Sequence, residues 1–266
     1  MLTAQPVTAA LPVRPSLNGH RMLEITALAA IFTLCSCLAW RLCECLTFGD
    51  SAHDPQLEKR HWLWAGIGAP LGIIVADFCS GFVHWMADRF GTDRTPYWGP
   101  HFVRPFREHH TNPKDITHHD FIETNGNNAI LLFPVLTTFV LLLSNQGATP
   151  AHVMGLSFAL AFSMFGFATN QVHKWAHADK RPVWVRVLQR TGFILSPHHH
   201  DIHHTAPYDT HYCITTGWLN KVLHHTRFFP SMEWLAAKTL GLKAAEGGED
   251  AHRLALHRED TYPIQH

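Results

Sequence analysis

The sequence predicts an all-α integral membrane protein with about four transmembrane helices and a cytoplasmic, His-rich helical cap. Three observations predict it. Four apolar stretches run through the 266 residues, only 16% of the chain is charged, and many of its 23 histidines fall in tight clusters beside those stretches. Lys plus Arg equals Asp plus Glu at 21 each, so net charge gives no argument for a nucleic-acid partner.

Residues 1–22 read as a flexible tail, with no charged-then-apolar pattern of a secretory signal. The first apolar stretch, Leu23 to Leu46, is long enough to span a bilayer. It holds Cys35, Cys37, Cys43 and Cys45, which read as small apolar residues of a membrane helix because bridging along one helix is geometrically poor. The second stretch, Trp62 to Val83, contains Pro70 and Asp77 and otherwise suits a membrane. The third, Ala129 to Leu143, has about 15 residues against the roughly 20 a span needs, so it must borrow its flanks or thin the bilayer. The fourth, Val153 to Thr169, is rich in Phe, Ala and Gly. The connections after the first and third stretches hold only Lys59 and Arg60 as basic residues. The positive-inside rule therefore puts both termini and the segment from Trp85 to Asn128 in the cytoplasm. Residues 23–228 read as one membrane-embedded domain, and residues 229–266 as a peripheral helix with a loose tail.

With four spans, every histidine cluster faces one side. His84 and Asp88 are four residues apart and share a helix face just beyond the second stretch; His173 and His177 repeat the arrangement beyond the fourth. Ser196 is a suitable N-cap and Pro197 a first helical residue, with Pro207 stopping the run. On that helix His200, His203 and His204 form one stripe, with His199 beside His203. His109 and His110 precede the Asn112-Pro113 turn, and Thr117 through Asp120 resembles a helix start capped by Thr117. The isolated His20, His53, His61, His101, His152, His224, His225, His252, His257 and His266 read as solvated residues.

Imidazole suits zinc, iron, copper and nickel alike. A zinc site needs three or four protein ligands, whereas about eight converge here, so two metal ions are the simpler account. Nitrogen-rich ligation without thiolates, in a lipid setting, favours a pair of irons that activate O₂. Signatures of competing chemistry are missing: there is no HExxH, no CxxC, no GxSxG and no phosphate-binding glycine loop.

Several strings carry a resemblance. Ser80-Gly81-Phe82-Val83-His84-Trp85-Met86-Ala87-Asp88, Arg104-Pro105-Phe106-Arg107-Glu108-His109-His110 and His119-Asp120-Phe121-Ile122-Glu123-Thr124-Asn125-Gly126 resemble the plasmanylethanolamine desaturase family. So do Asn170-Gln171-Val172-His173-Lys174-Trp175-Ala176-His177 and Cys213-Ile214-Thr215-Thr216-Gly217-Trp218-Leu219-Asn220. The likeness runs from about Gly72 to Asn220 and fades at both ends. It implies a membrane di-iron enzyme that uses O₂ to desaturate the alkyl ether chain of a plasmanyl phospholipid, giving the vinyl ether of a plasmalogen. Electrons would come from a b-type cytochrome or a ferredoxin with its reductase. The membrane would be a bacterial inner membrane or, in a eukaryote, the endoplasmic reticulum.

Matched residue by residue, the implied ligands are His84, His109, His110, His173, His177, His200, His203 and His204. Asp88, His119 and His199 are further ligands or groups that orient imidazoles. Glu123, Asn125 and Asn220 give polar support or substrate contact, and Arg104 and Arg107 hold a lipid phosphate or are plain surface charge. Two other readings stand beside this one: a desaturase or hydroxylase of another membrane-lipid chain, and a non-catalytic membrane metal carrier. The carrier is disfavoured because Asp77 and Glu44 alone make a poor ion path through the spans.

Overall fold

Residues 19–48, 55–96, 99–144 and 147–245 are described in the computed structural model. The tail expected over residues 1–18, the loose end over 246–266, and His53, His252, His257 and His266 lie outside them, as does the side chain of His101. Among the described residues there are helices and no strand: α1 Gly19–Phe48, α2 Pro55–Arg89, α3 Arg104–Thr111, α4 Phe121–Leu143, α5 Pro150–His177, α6 Val183–Arg190, α7 Pro197–Asp201, α8 Asn220–His225 and α9 Phe228–Leu240. Helices α1, α2, α4 and α5 contain the four segments long and apolar enough to cross a membrane. Their outer faces expose Trp40, Trp62, Leu141, Leu142 and Met164, each more than half accessible. An apolar belt of that extent is unfavourable in water and suits lipid.

The four long helices pair in parallel. Gly68 of α2 faces Met154 and Phe158 of α5, and Gly72 faces Phe158 and Phe162, so both chains advance in the same direction. A Cβ at Gly68 would lie 2.3 Å from the Met154 carbonyl oxygen, and one at Gly72 would lie 2.4 Å from that of Phe158. Two glycines four residues apart thus let the backbones meet, as small residues do between membrane helices. The Ser157 hydroxyl, donating to the Ala65 carbonyl at 2.7 Å, ties the same seam. Gly72→Val is expected to push the helices apart and cost about 1–3 kcal/mol, seen as a lower unfolding temperature in detergent.

Helix α4 borrows its N-terminal flank, as the short apolar stretch required, and runs 23 residues from Phe121. Its polar first turns face protein: Asn128 Nδ2 donates to the Gly166 and Phe167 carbonyls at 2.7 and 3.1 Å, Asn125 Nδ2 reaches Gln171 at 3.2 Å, and Asn170 Nδ2 reaches the Thr124 carbonyl at 3.1 Å. Gly126 makes room for buried Glu24 of α1. Because neighbouring helices satisfy these groups, the span needs no apolar residues there. The cap is Asp120, whose side chain accepts from Glu123 N, and not Thr117, which ends a short 3₁₀ turn. Helix α7 also ends earlier than expected, at Asp201. His203 N and His204 N still reach the His200 carbonyl at 2.9 and 3.2 Å, so the three imidazoles keep a common side. His61 and His152 are not solvated: both are buried, with no hydrogen bond on either ring nitrogen.

Candidate metal centre

Where α2 and α5 end, two groups of ligand-type side chains meet. His109, His173, His177, His200 and His204 form one; His84, Asp88, His110 and His203 form the other. Within each group the ligand atoms lie within 4.8 Å of one another. The groups adjoin, with the rings of His203 and His204 5.5 Å apart and those of His84 and His173 6.1 Å apart.

Helix geometry explains the division. The i,i+4 pairs at the ends of α2 and α5 each aim both members at one group. Consecutive helical residues point about 100° apart, so the pair His109-His110 on α3 feeds one residue to each group. His203 and His204 divide in the same way. Helix α3 starts with Pro105 in its first turn, and an Arg104–Glu108 ion pair at 2.8 Å staples its exposed face.

The ring nitrogens are aimed by backbone carbonyls. His84 Nδ1 lies 3.0 Å from the Tyr212 carbonyl oxygen, and His203 Nδ1 lies 2.8 Å from that of Thr210. A carbonyl can only accept, so each Nδ1 carries the proton and each Nε2 keeps its lone pair for the group interior. There His203 Nε2 stands 2.9 Å from His110 Nε2, and Asp88 Oδ2 stands 3.3 Å from His84 Nε2 and 3.5 Å from both His110 and His203. In the other group His109 and His177 bring their Nε2 atoms to 2.8 Å, and His200 and His204 to 3.1 Å. Tyr208 covers His110, its ring 4.7 Å away and almost parallel.

The loop supplying those carbonyls is irregular and buried, and α2 satisfies its amides. Thr216 N and Gly217 N donate to Asp77 Oδ1 at 2.7 and 2.8 Å, Leu219 N to Asp77 Oδ2 at 3.1 Å, and Ile214 N to Ser80 Oγ at 3.1 Å. Asn220 closes the loop through Cys213 N and O at 2.8 and 2.9 Å. Glu233 of α9 holds Trp85 Nε1 at 3.0 Å and Arg89 Nε at 2.8 Å, pinning α9 to the end of α2. Sequence reasoning missed Asp77, Thr210, Tyr212 and Glu233. A buried Asp in an apolar span was the one available signal.

His119 and His199 stand outside both groups. His119 is half-buried, 3.7 Å from Glu123. His199 packs on Gly217, with its ring 5.5 Å from that of His211. Buried Arg107 donates to the Gly91 carbonyl at 3.2 Å.

Burial keeps these imidazoles neutral. It pushes His204 down to about 4 and, with the added charge of His204, His203 down to about 3; His109, His110 and His200 are also held well below their ordinary range, chiefly by burial. Neutral imidazole is the ligating form. These groups bind protons less readily folded than unfolded, so their contribution to stability is full above about 6.5 and is lost as pH falls toward 4. Metal-free protein is therefore expected to lose thermal stability steadily across that window, read by unfolding scans at stepped pH.

Residues 73–246 match a family described as a lipid desaturase domain. The chain belongs to the lipid desaturase family. It is 48% identical over 189 residues to a Myxococcus xanthus protein named plasmanylethanolamine desaturase, covering 70% of this chain and 66%, just short of two thirds, of that one. It is 44% identical over 228 residues to mouse plasmanylethanolamine desaturase 1, covering 85% and 80%. It is 34% identical over 184 residues to Arabidopsis thaliana fatty acid desaturase 4-like 2, chloroplastic, covering 68% and 63%. No solved structure matches this chain.

Proposed function

We propose that this lipid desaturase acts on the alkyl ether chain of a plasmanyl phospholipid, forming the vinyl ether of a plasmalogen with O₂ and a pair of irons. The observation that carries the reading is the double set of buried imidazoles at the end of an apolar bundle, in a chain so similar to two plasmanylethanolamine desaturases. In the balanced reaction the substrate loses two hydrogens, a donor gives two electrons with two protons, and O₂ leaves as water. A b-type cytochrome or ferredoxin suits the donor's role, and the centre faces the cytoplasm by the positive-inside argument.

The residues fit such a metal pair. His84 Nε2, both Asp88 oxygens and His173 Nε2 are buried without a hydrogen bond, and leaving such atoms unsatisfied is costly. Five nitrogens on one side, and three nitrogens with a carboxylate on the other, suit ions that accept imidazole and oxygen ligands. When bound, the pair supplies the O₂-driven oxidation of an unactivated C–H bond, which acid–base side chains cannot perform. The protein's own work is positional. Thr210 and Tyr212 lock two imidazoles by their Nδ1 protons, Phe106 packs 4.9 Å from the His84 ring, and Tyr208 shields His110 from water. His119 and His199, given where they sit, orient neighbouring groups at most.

The test is expression in cells that lack plasmalogens, supplied with alkylglycerol, followed by mass spectrometry of acid-labile vinyl ether lipids. Iron-loaded protein that yields none with O₂ and a reductant present rejects the reading. The plant relative's name favours a second one, an acyl-chain desaturase; new acyl double bonds with ether lipids unchanged would establish that instead.

A further inference from the structure

Beside the four-residue group lies a cavity of about 290 Å³ that the metal site does not use. Exposed Asp209, His224 and Arg227 and half-buried His211 line it, over buried Leu223 and Phe229. Thr210 joins the cavity to the metal centre. Its carbonyl holds His203 Nδ1, while its hydroxyl lies 2.9 Å from Nδ1 of both His211 and His224.

Two features mark the cavity as built for a ligand. First, its opposite charges stand apart: Arg227 and Asp209 line one space, yet among the described residues neither side chain makes a hydrogen bond or ion pair. Second, three non-glycine residues adopt left-handed backbone among the described residues, and two of them, His211 at φ 58° and Arg227 at φ 53°, line this cavity. Such conformations are unfavourable for residues with a Cβ and gather at ligand clamps. Arg227, His211 and His224 give one side of the space donors suited to an anion, and Asp209 gives the other an acceptor suited to a cation.

Substrate chemistry says which anion. In an alkyl ether lipid the new double bond forms beside the ether oxygen, so the glycerol alone separates the reacting carbons from the phosphate. The headgroup must then rest next to the metal centre, unlike that of a lipid oxidised far along its chain. Helices α8 and α9, which bear much of the cavity wall, expose Val222 and Trp234, side chains suited to the lipid interface. Resting on the function proposed above, we infer that this cavity receives the phosphoethanolamine headgroup of the substrate, Arg227 with the His211–His224 pair taking the phosphate and Asp209 the ammonium. A guanidinium is well matched to phosphate oxygens.

The experiment has a kinetic arm and a binding arm, both on the full chain. In the first, alkyl ether lipids carrying phosphoethanolamine or a bare phosphate headgroup are compared. Arg227→Gln is expected to raise KM about tenfold or more for both, with kcat little changed and partial rescue by Arg227→Lys. Asp209→Asn is expected to raise KM for the phosphoethanolamine lipid alone. Arg227→Asn, which tolerates left-handed backbone, replaces Arg227→Gln if the latter fails to fold. In the second arm, thermal shifts of iron-depleted protein are read with short-chain ether phosphoethanolamine, free phosphoethanolamine or inorganic phosphate. Stabilisation by the lipid that Arg227→Gln abolishes supports the pocket. Equal stabilisation by inorganic phosphate would mark a soluble-anion site and overturn it, as would KM and binding unchanged in both variants. Wild-type protein that makes no vinyl ether defeats the functional reading by itself, while the binding arm still judges the pocket.

Discussion

His203→Ala is expected to abolish vinyl ether formation, by a factor of about a hundred or more, and to remove one of two irons. His203 is fully buried, its Nδ1 spent on the Thr210 carbonyl and its Nε2 beside those of His110 and His84 and the Asp88 carboxylate. Its group has four ligand-type residues, so the substitution leaves three. His177→Ala, in the five-residue group, leaves four imidazoles. The two variants should therefore differ: His203→Ala loses metal outright, and His177→Ala keeps more of it while activity falls. Both should insert in the membrane, since neither side chain belongs to the α2–α5 or α1–α4 seams. Iron per chain by elemental analysis, set beside vinyl ether yield, checks the order. Equal iron loss in the two variants would contradict the unequal division of ligands.

Continuous apolar length made the four spans legible, and i,i+4 spacing made His84 with Asp88 and His173 with His177 legible, because both depend on residues close together in the chain. The adjacent pairs His109-His110 and His203-His204 were visible as ligands, but their division between two groups depends on how α3 and the turn after α7 dock. The polar first turns of α4 meet a similar limit: what Asn125 and Asn128 bond to depends on where α5 packs. His61 and His152 show the same limit, since isolated histidines give no sign of burial. The partners of Arg104 and Arg107 likewise depend on tertiary context. Arg104 is paired with Glu108 and Arg107 is buried against Gly91, while Arg227, which no sequence pattern singled out, lines a cavity.

Asp77→Ala is expected to cost about 3 kcal/mol or more, each buried unsatisfied amide contributing about 1–3 kcal/mol. The carboxylate is fully buried in α2, a poor place for a charge unless it is thoroughly hydrogen-bonded. It accepts from three successive stations of one loop, Thr216, Gly217 and Leu219. Gly217, at φ 75°, occupies the left-handed backbone that lets those amides converge. Alanine strands the buried N–H groups of Thr216 and Gly217 and the half-buried one of Leu219. Asp77→Asn keeps one acceptor oxygen but turns an amide NH₂ toward the remaining donor, so a smaller loss follows. The consequence reaches the metal centre through the chain itself. The same loop carries the Tyr212 carbonyl that orients His84, and the Thr210 carbonyl just before it orients His203. Asp77→Asn should therefore weaken metal retention in the four-residue group more than in the five-residue group, although Asp77 belongs to neither. Thermal unfolding gives the stability cost, and chelator titration of iron-loaded protein gives the site effect. A variant that unfolds earlier yet releases both irons as slowly as wild type would show that the loop supports the fold without aiming the imidazoles.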